Sequence, residues 1–297
     1  MPMRLSEVAL SDRVRRDGDF AAIGLPSSRS PGLLTFAVNA FYLRQALANP
    51  RVTCIVTTDE LVDSVPQALG LAVASNPRDA FYEIHEAVLN RRAAPAPGGI
   101  GVDCQIHPSA IISSSARIGD RVRIGEFAVI RENVTIGDDV VIEAGVKVGV
   151  DGILHRMVDG LRCLIPHGGS VQIDRGVVLM TNAVVVRAVF PGVATVIGRG
   201  SIVGLNSVVG HDAQVLDHCV ISNNCVIARG SNVGPDAYLG TGTIVREFTT
   251  MGTGARALAG SVVVNDVPDA ETVSGNFAYS HVRRMRSQRS QSQEGRA

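Results

Sequence analysis

Large aliphatic residues recur at every sixth position over two long stretches of the chain. The first stretch begins at Ile106 and the second at Ile173, and Gly often follows the large residue. An α-helix has a period of about 3.6 residues and a β-strand one of about 2, so neither produces this spacing. The pattern therefore indicates a six-residue structural repeat. Its further positions are Ile112, Ile118, Ile124, Ile130, Ile136, Ile142 and Val148 in the first stretch, and Leu179, Val185, Pro191, Ile197, Val203, Val209, Val215, Ile221, Ile227, Val233, Leu239, Val245, Met251, Ala257 and Val263 in the second.

A second series of residues stands two positions before the first and contains only Ser, Thr, Ala, Val or Cys. Each repeat therefore offers one large and one small side chain to an interior, which is typical of a parallel β-helix. Three repeats make one triangular coil, and the two stretches together predict about eight coils. Cys104, Cys219 and Cys225 occupy small positions, so we expect them to pack in the core rather than act as nucleophiles or metal ligands.

The repeat is interrupted once. Val148 and Ile173 are 25 residues apart, which is not a multiple of six, so residues 149–172 are expected to leave the helix as an excursion. Long loops within a repetitive fold often serve a binding face. This one carries His155 and His167, and we expect it to have a functional role.

The N-terminal part of the chain lacks the repeat. Strand-like runs at 52–56 and 71–74 precede a helical pattern that begins near Pro77. A stretch rich in Pro, Ala and Gly follows and predicts a linker. The predicted organisation is an α/β domain over residues 1–92, a linker over 93–100, the β-helix over 101–268 and a polar C-terminal tail over 269–297.

Composition and charge limit the classes of protein that fit. The chain of 297 residues has 28 basic and 28 acidic side chains, and this zero net charge argues against nucleic acid or an anionic membrane as a partner. No apolar run approaches the about 18 residues of a membrane-spanning helix, and the charged N-terminus does not predict a signal peptide. Five cysteines without disulfide-like spacing favour a reducing compartment. We therefore expect a cytoplasmic protein without a membrane span.

Three further motifs, in a fixed order, resemble those of a known family. They are Asp17–Asp19 with Leu34–Tyr42, Val148–Gly152 with Ile165–Pro166 in the excursion, and Val209–Asp212 in the second stretch. With the repeat, they make the chain similar to the UDP-3-O-acylglucosamine N-acyltransferases, a hexapeptide-repeat family. The resemblance implies a left-handed β-helix. It also implies transfer of an acyl group from a thioester donor to the amine of a UDP-linked amino sugar, as in lipid A synthesis.

The resemblance assigns roles to residues outside the repeat as well. Phe36, Asn39 and Tyr42 match the family's uridine-binding motif, and aromatic faces with an amide suit a pyrimidine. Asp151 and Gly152 in the excursion are expected to contact substrate. No cofactor is expected to be bound, since acyl carrier protein or CoA brings the acyl group as a co-substrate. Active sites between neighbouring subunits imply a closed C3 homotrimer.

His211 is the predicted catalytic residue. It follows the interior position Val209 by two residues, so we expect it to face outward, and the family's catalytic histidine occupies the matching position. Acylation of an amine needs a base with a pKa near neutrality. A coil of about 18 residues would stack Arg229 and Glu247 on His211, where they either contact substrate or pair with each other. The backbone N–H of Gly210 or a neighbour is the candidate donor to the oxyanion.

Departures from the family pattern leave the substrate open. Leu205, Val208 and Phe248 replace polar residues near the base, while Ser274–Ala278 and His211–Asp212 resemble segments of CoA-dependent sugar acetyltransferases. One alternative is therefore an acetyl-CoA-dependent nucleotide-sugar N- or O-acetyltransferase of a surface-polysaccharide pathway.

Two functions of other classes also use this fold. A catalytically silent, trimeric sugar-nucleotide-binding protein is compatible with the departures, because fold alone does not determine function. A zinc enzyme would need three convergent histidines. The outward His211 and His218 lie only seven residues apart, and no third histidine stands at a coil-related spacing, so no metal site is expected.

Overall fold

The computed structural model describes residues 2–9, 12–158 and 160–275. The N-terminal residues form a five-stranded sheet, in which the first strand is antiparallel to its neighbour and the others are parallel. In sheet order the strands are Val14–Arg16, Gly70–Val73, Val52–Thr57, Leu33–Phe36 and Ala22–Ile23, and a separate ribbon pairs Met3–Arg4 with Asp19–Phe20. The helices are α1 (Leu5–Val8), α2 (Ala40–Leu47), a 3-10 helix (Asp59–Ser64) and α3 (Pro77–Asn90).

Side chains of successive residues along these strands point to alternate faces of the sheet, and both faces are apolar. Leu33 and Ile55 pack with α2, whereas Leu34 and Val56 pack with α1 and α3. Successive strand residues point to opposite faces, so a sheet covered by helices on both faces has nearly continuous apolar strands. The strand-like runs of the sequence are confirmed to within one residue at each end.

The helix predicted near Pro77 is also confirmed. Asn76 precedes α3 and its side chain accepts a hydrogen bond from the backbone N–H of Asp79, at 3.2 Å. Pro77 occupies the first turn, where its missing N–H leaves no hydrogen bond unmade. Phe81 and Ile84 are buried on the face that meets the sheet.

The rest of the described chain is a left-handed parallel β-helix with three sheets, as predicted. Each strand pairs in parallel with the strand one coil later, and eight strands stack in two of the sheets and nine in the third, which confirms about eight coils. Face 1 comprises Gly99–Ile100, Arg117–Ile118, Val134–Ile136, Ser170–Ile173, Ala194–Ile197, Gln214–Val215, Asn232–Val233 and Thr250–Met251. Face 2 comprises Gln105–Ile106, Arg123–Ile124, Val141–Ile142, Val178–Leu179, Ile202–Val203, Val220–Ile221, Tyr238–Leu239, Arg256–Ala257 and Thr272–Val273. Face 3 comprises Ile111–Ile112, Val129–Ile130, Lys147–Val150, Val184–Val186, Val208–Val209, Val226–Ile227, Ile244–Val245 and Val262–Val263.

The interior of this helix contains the large and small residues of the repeat in one continuous cluster. Cys219 and Cys225 are fully buried there, and burial raises the pKa of the Cys219 thiol to about 11, so both pack as predicted. Cys104 is half-buried against the same cluster, and Cys163 is exposed on the excursion.

Two positions of the repeat were wrongly assigned, Pro191 of the large series and Val189 of the small series. Pro191 does not lie on a face, because face 3 ends at Val186 in this coil and face 1 resumes at Ala194. Residues 187–193 instead form a loop, called here the corner loop. Its Val189 and Phe190 are buried in the apolar cluster of the N-terminal domain rather than inside the helix. Burial against a second domain has thus taken these residues out of the repeat.

The excursion contains an antiparallel hairpin of His155–Val158 and Leu161–Leu164. Leu154 and Ile165, on either side of the hairpin, are buried with α3. The β-helix runs from residue 99 to residue 273 and is thus longer at both ends than the expected 101–268. Residues 276–297 of the expected tail, including the end of the Ser274–Ala278 motif, lie outside the described residues. Within the described ranges no helix has the length and apolarity needed to cross a membrane.

Candidate active site

A cavity of about 580 Å³ lies between the N-terminal domain and the corner of the β-helix that carries His211. Its walls combine apolar and aromatic side chains with polar groups from several segments. The walls include Tyr82, Leu154, Phe190 and Phe248, and the polar lining includes Arg29, Asp212, Gln214 and Arg229. Apolar walls with a few convergent polar groups are characteristic of small-molecule sites.

Asp212 fixes the orientation of the His211 ring. Its Oδ2 lies 2.7 Å from His211 Nδ1, while its Oδ1 accepts a hydrogen bond from the Val189 N–H at 3.2 Å. The Asp212 backbone adopts a left-handed conformation (φ 62°) and its N–H donates to Thr195 Oγ1 at 2.9 Å. With Nδ1–H directed at a carboxylate, the neutral imidazole carries its lone pair on Nε2. His211 therefore has the arrangement of a general base.

His211 is absent from the interior cluster, in line with its outward position in the repeat, but it is only 8% exposed. His167 of the excursion covers it, with its ring edge-on to that of His211. His167 Nδ1 contacts the Arg187 carbonyl at 3.0 Å, and its Nε2 has no hydrogen-bond partner within the described chain. Burial lowers the pKa of His167, so this ring is neutral at physiological pH.

Asp151 and Gly152 lie beneath these two histidines and are not part of the cavity wall. Asp151 Oδ1 is 2.7 Å from Arg187 Nε without an aligned hydrogen bond, and Arg187 Nη2 donates to Glu132 at 2.6 Å. A Cβ on Gly152 would lie 3.2 Å from atoms of both His167 and His211. Asp151 and Gly152 thus lie where they help to hold the two imidazole rings in place, rather than in the cavity wall.

The column above His211 is present as expected. The Gly230 N–H donates to the His211 carbonyl at 2.9 Å, and the guanidinium of Arg229 lies 5.1 Å from the ring centre of Phe248. Arg229 lines the cavity, whereas the exposed Glu247 does not, and among the described residues no ion pair joins the two.

The prediction that the Gly210 N–H stabilises the oxyanion is wrong. Its N–H donates to the Ile227 carbonyl at 2.8 Å. This N–H belongs to the ladder between coils and is not free to bind substrate.

Phe36, Asn39 and Tyr42 lie in the N-terminal domain, and none of them lines the cavity. Phe36 packs on Phe81 with ring centroids 4.8 Å apart. Asn39 precedes α2 and accepts the Tyr42 N–H at 3.1 Å, while the ring of Tyr42 is largely exposed. The three residues are adjacent because they span a strand end and the first turn of a helix, and the structure separates them from His211 of the same chain.

Several lining residues were missed by the sequence analysis. Arg29 comes from a polar Ser-rich loop, residues 27–30, and Tyr82 comes from α3. The Ser-rich composition of the loop is the only local signal, because both residues join the His211 cavity from segments more than 100 residues away in the sequence.

Comparison with known proteins bears on the repeat and on the fold. The family described as bacterial transferase hexapeptide (six repeats) matches residues 99–132 and 115–149, which confirms the predicted repeat. The chain is 34% identical over 125 residues to a UDP-3-O-acylglucosamine N-acyltransferase of Cupriavidus pinatubonensis, covering 36% of this chain and 34% of the relative. It is 27% identical over 108 residues to the protein of that name from Leptothrix cholodnii, covering 36% and 30%. The matched part spans about a third of the length of these relatives.

Among solved structures, a UDP-N-acetylglucosamine acyltransferase from Campylobacter jejuni superposes with a TM-score of 0.53 at 21% identity. The match covers 61% of this chain and 68% of that one. This similarity confirms the fold. The resemblance to hexapeptide-repeat acyltransferases is thus found again by sequence, and the β-helix fold by structure.

Proposed function

We propose that this protein is an N-acyltransferase that moves an acyl group from acyl carrier protein or CoA to the amine of a UDP-linked amino sugar, in lipid A-type synthesis. The observation that carries the proposal is the His211–Asp212 pair at a cavity of about 580 Å³. The names of the similar proteins supply the substrate class. We further propose that it acts in the cytoplasm, which its five free cysteines support.

The reaction needs one proton to be moved twice. His211 Nε2 accepts the proton of the amine as the nitrogen attacks the thioester carbonyl, and the Asp212 carboxylate stabilises the imidazolium that forms. The new N–C bond then replaces the C–S bond as the tetrahedral intermediate collapses. The departing thiolate takes the proton from the imidazolium, so the base returns to its starting state.

Two arginine side chains at the cavity favour a substrate with negative charge. Arg29 and Arg229 line it, and neither has a carboxylate partner within the described residues. Guanidinium groups bind phosphate oxygens in a bidentate manner. We assign these arginines to the diphosphate of the nucleotide sugar, and the apolar walls to the acyl chain.

The outward residues of the β-helix support a homotrimer. The outward positions of face 1 are mainly polar, whereas those of face 3 are β-branched apolar residues with one exception, Lys147. On face 2 the middle coils are apolar as well. The face 3 residues are Ile111, Val129, Val184, Val208, Val226, Ile244 and Val262, and the face 2 residues are Val141, Val178, Ile202, Val220 and Tyr238. Two apolar faces on a triangular prism fit a closed C3 assembly.

The trimer would also explain the position of the uridine motif. Phe36, Asn39 and Tyr42 do not line the His211 cavity of their own chain. In the proposed assembly they serve the cavity of a neighbouring subunit, so that each site uses two chains.

The test is mass spectrometry of products from UDP-amino sugars with two donors, acetyl-CoA and 3-hydroxyacyl carrier protein. His211→Ala is expected to lower the rate about 10²- to 10⁴-fold. His218→Ala is the matched control, because His218 is an exposed corner histidine of the same β-helix. Transfer from the long-chain donor that His211→Ala abolishes supports the proposal. Transfer of acetyl alone favours a polysaccharide acetyltransferase, and UDP-sugar binding without transfer favours the silent relative.

A further inference from the structure

A second cavity, of about 330 Å³, lies on face 1 near the N-terminal end of the β-helix. The end of the N-terminal domain closes it on one side with Arg92, the linker adds Pro95, and the excursion closes another side with Gly168–Ser170. Its floor includes the outward residues Arg117 and Thr135 of two successive strands. Three segments that are remote in sequence therefore converge on this cavity.

The cavity has positive charge and no compensating negative charge. Arg92 and Arg117 are both in its wall, and the wall residues include no Asp or Glu. Neither arginine forms an ion pair with any described carboxylate. Arg92 is held in place by its Nη1, which donates to the Gly168 carbonyl at 3.0 Å, so the remaining N–H groups of its guanidinium are available.

Neutral hydrogen-bonding groups complete the lining. Ser115, Asn133 and Thr135 contribute hydroxyl and amide groups, while the Ser170 hydroxyl donates to the Val193 carbonyl at 3.1 Å. Two guanidinium groups with hydroxyl and amide donors form a set suited to the oxygens of a phosphate. The volume is in the lower part of the about 300–1,000 Å³ range of small-molecule sites, so an ester larger than free phosphate fits.

This cavity adjoins the one at His211. Gly192 of the corner loop borders both. Its backbone has a φ of +82°, and a Cβ there would meet no atom within 4 Å, so no neighbouring atom crowds this shared residue on that side. A ligand held at Arg92 and Arg117 would thus lie beside the reaction site.

We infer that this cavity is a binding site for a phosphate group carried by a small molecule, with Arg92 and Arg117 as its ligands. The inference goes beyond the proposed function, because it concerns binding and holds whether or not the protein transfers an acyl group. Such a phosphate could belong to a CoA-type carrier or to a nucleotide. Both present the same chemistry, and the experiment separates them.

The experiment is calorimetric titration of the full chain with inorganic phosphate, CoA and UDP in a phosphate-free buffer of low ionic strength. Arg117→Gln and Arg92→Gln are each expected to weaken inorganic phosphate binding by about tenfold or more. Arg123→Gln is the matched control, because Arg123 occupies the same strand position on face 2 and is also exposed. It is expected to leave the affinity unchanged.

Competition identifies the source of the phosphate. Displacement of inorganic phosphate by CoA but not UDP assigns the site to a carrier, and the reverse assigns it to a nucleotide. Equal phosphate affinity in wild type, Arg92→Gln and Arg117→Gln would overturn the inference. So would a change of oligomeric state in these variants at unchanged phosphate affinity, since the arginines would then serve contacts between copies. His211→Ala should still bind inorganic phosphate, so a failure of the proposed acyl transfer would leave the outcome of this titration unchanged.

Discussion

The imidazole rings of His167 and His211 meet edge-on, with centroids 5.2 Å apart and an angle of 81° between their planes. One ring comes from the excursion and the other from a regular corner of the β-helix. Gly152 lies against both. Arg187 secures the arrangement, because its carbonyl contacts His167 and its guanidinium is paired with Asp151 and Glu132. The geometry of the proposed base thus depends on a segment outside the repeat.

Gly152→Ala tests this dependence. The added Cβ would approach His167 Cε1 and His211 Cδ2 to 3.2 Å and Val186 Cγ1 to 3.0 Å, so these neighbours, the two rings among them, must give by a few tenths of an ångström. A displaced base lowers the rate sharply, and we expect kcat to fall about tenfold to a hundredfold with little change in KM. Steady-state kinetics measures the effect. Gly99→Ala is the control, because a Cβ there meets nothing within 4 Å. Equal rates in both variants would show that Gly152 does not position the base.

Asp212→Asn tests the carboxylate. An amide keeps the Oδ1 contact to Val189 but no longer enforces the Nδ1–H form of His211 or stabilises its imidazolium. We expect kcat to fall by about 10²- to 10⁴-fold. Asp217→Asn changes a corner aspartate that only accepts the Arg199 N–H, and it should retain full activity. If Asp212→Asn is as active as Asp217→Asn, Asp212 is a corner residue and nothing more.

The β-helix could be predicted because the pattern of its interior residues recurs many times along the sequence. Each coil repeats the same requirement, and residues such as Ile124 and Ile142 pair in register one coil apart. The corner loop shows where this reasoning ends. Pro191 keeps the spacing of six, but Phe190 beside it is buried against Phe81 and Tyr82 of the N-terminal domain. Contacts with a separate domain produce no periodic pattern in the sequence.

The residues of the candidate site also divide into those that the sequence predicts and those that it does not. Arg229 could be predicted because it stacks one coil above His211, which was itself predicted from its outward position in the repeat and from the family resemblance. His167 was expected only as part of a functional excursion, and neither its contact with His211 nor the place of Arg29 was predicted, since both depend on the fold bringing distant segments together. Phe36, on the other hand, has a local structural role in an aromatic cluster. Spacing identifies residues that share a column, but not those that meet across a domain boundary.

Stability should fall at mildly acidic pH because of two buried histidines. Burial lowers the pKa of both His85 and His167 below the ordinary 6.5. As the pH falls through about 6.5, the unfolded chain binds protons at these residues while the folded protein does not, so protonation favours the unfolded state. The free energy of unfolding should therefore decrease from about pH 7.5 to about pH 5.5, as measured by urea denaturation.

His85→Gln and His167→Gln provide the comparison for this pH dependence. Each should flatten the decrease, because Gln does not titrate. His218→Gln, at an exposed histidine, should not change it. An identical slope in all four proteins would assign the acid sensitivity to the carboxylates instead.

Phe190→Ala tests how firmly the corner loop joins the two domains. The Phe190 ring is 6% exposed, stacks on Tyr82 at 6.4 Å and meets His85 and Phe81 edge-on at 5.4 and 5.7 Å. Truncating a buried Phe costs about 3–5 kcal/mol of unfolding free energy. Phe127→Ala, at a phenylalanine that is 71% exposed, should stay within about 0.5 kcal/mol of wild type. Because Phe190 also lines the His211 cavity, its loss should raise KM as well. A Phe190→Ala protein as stable as Phe127→Ala would mean that the loop does not hold the domains together.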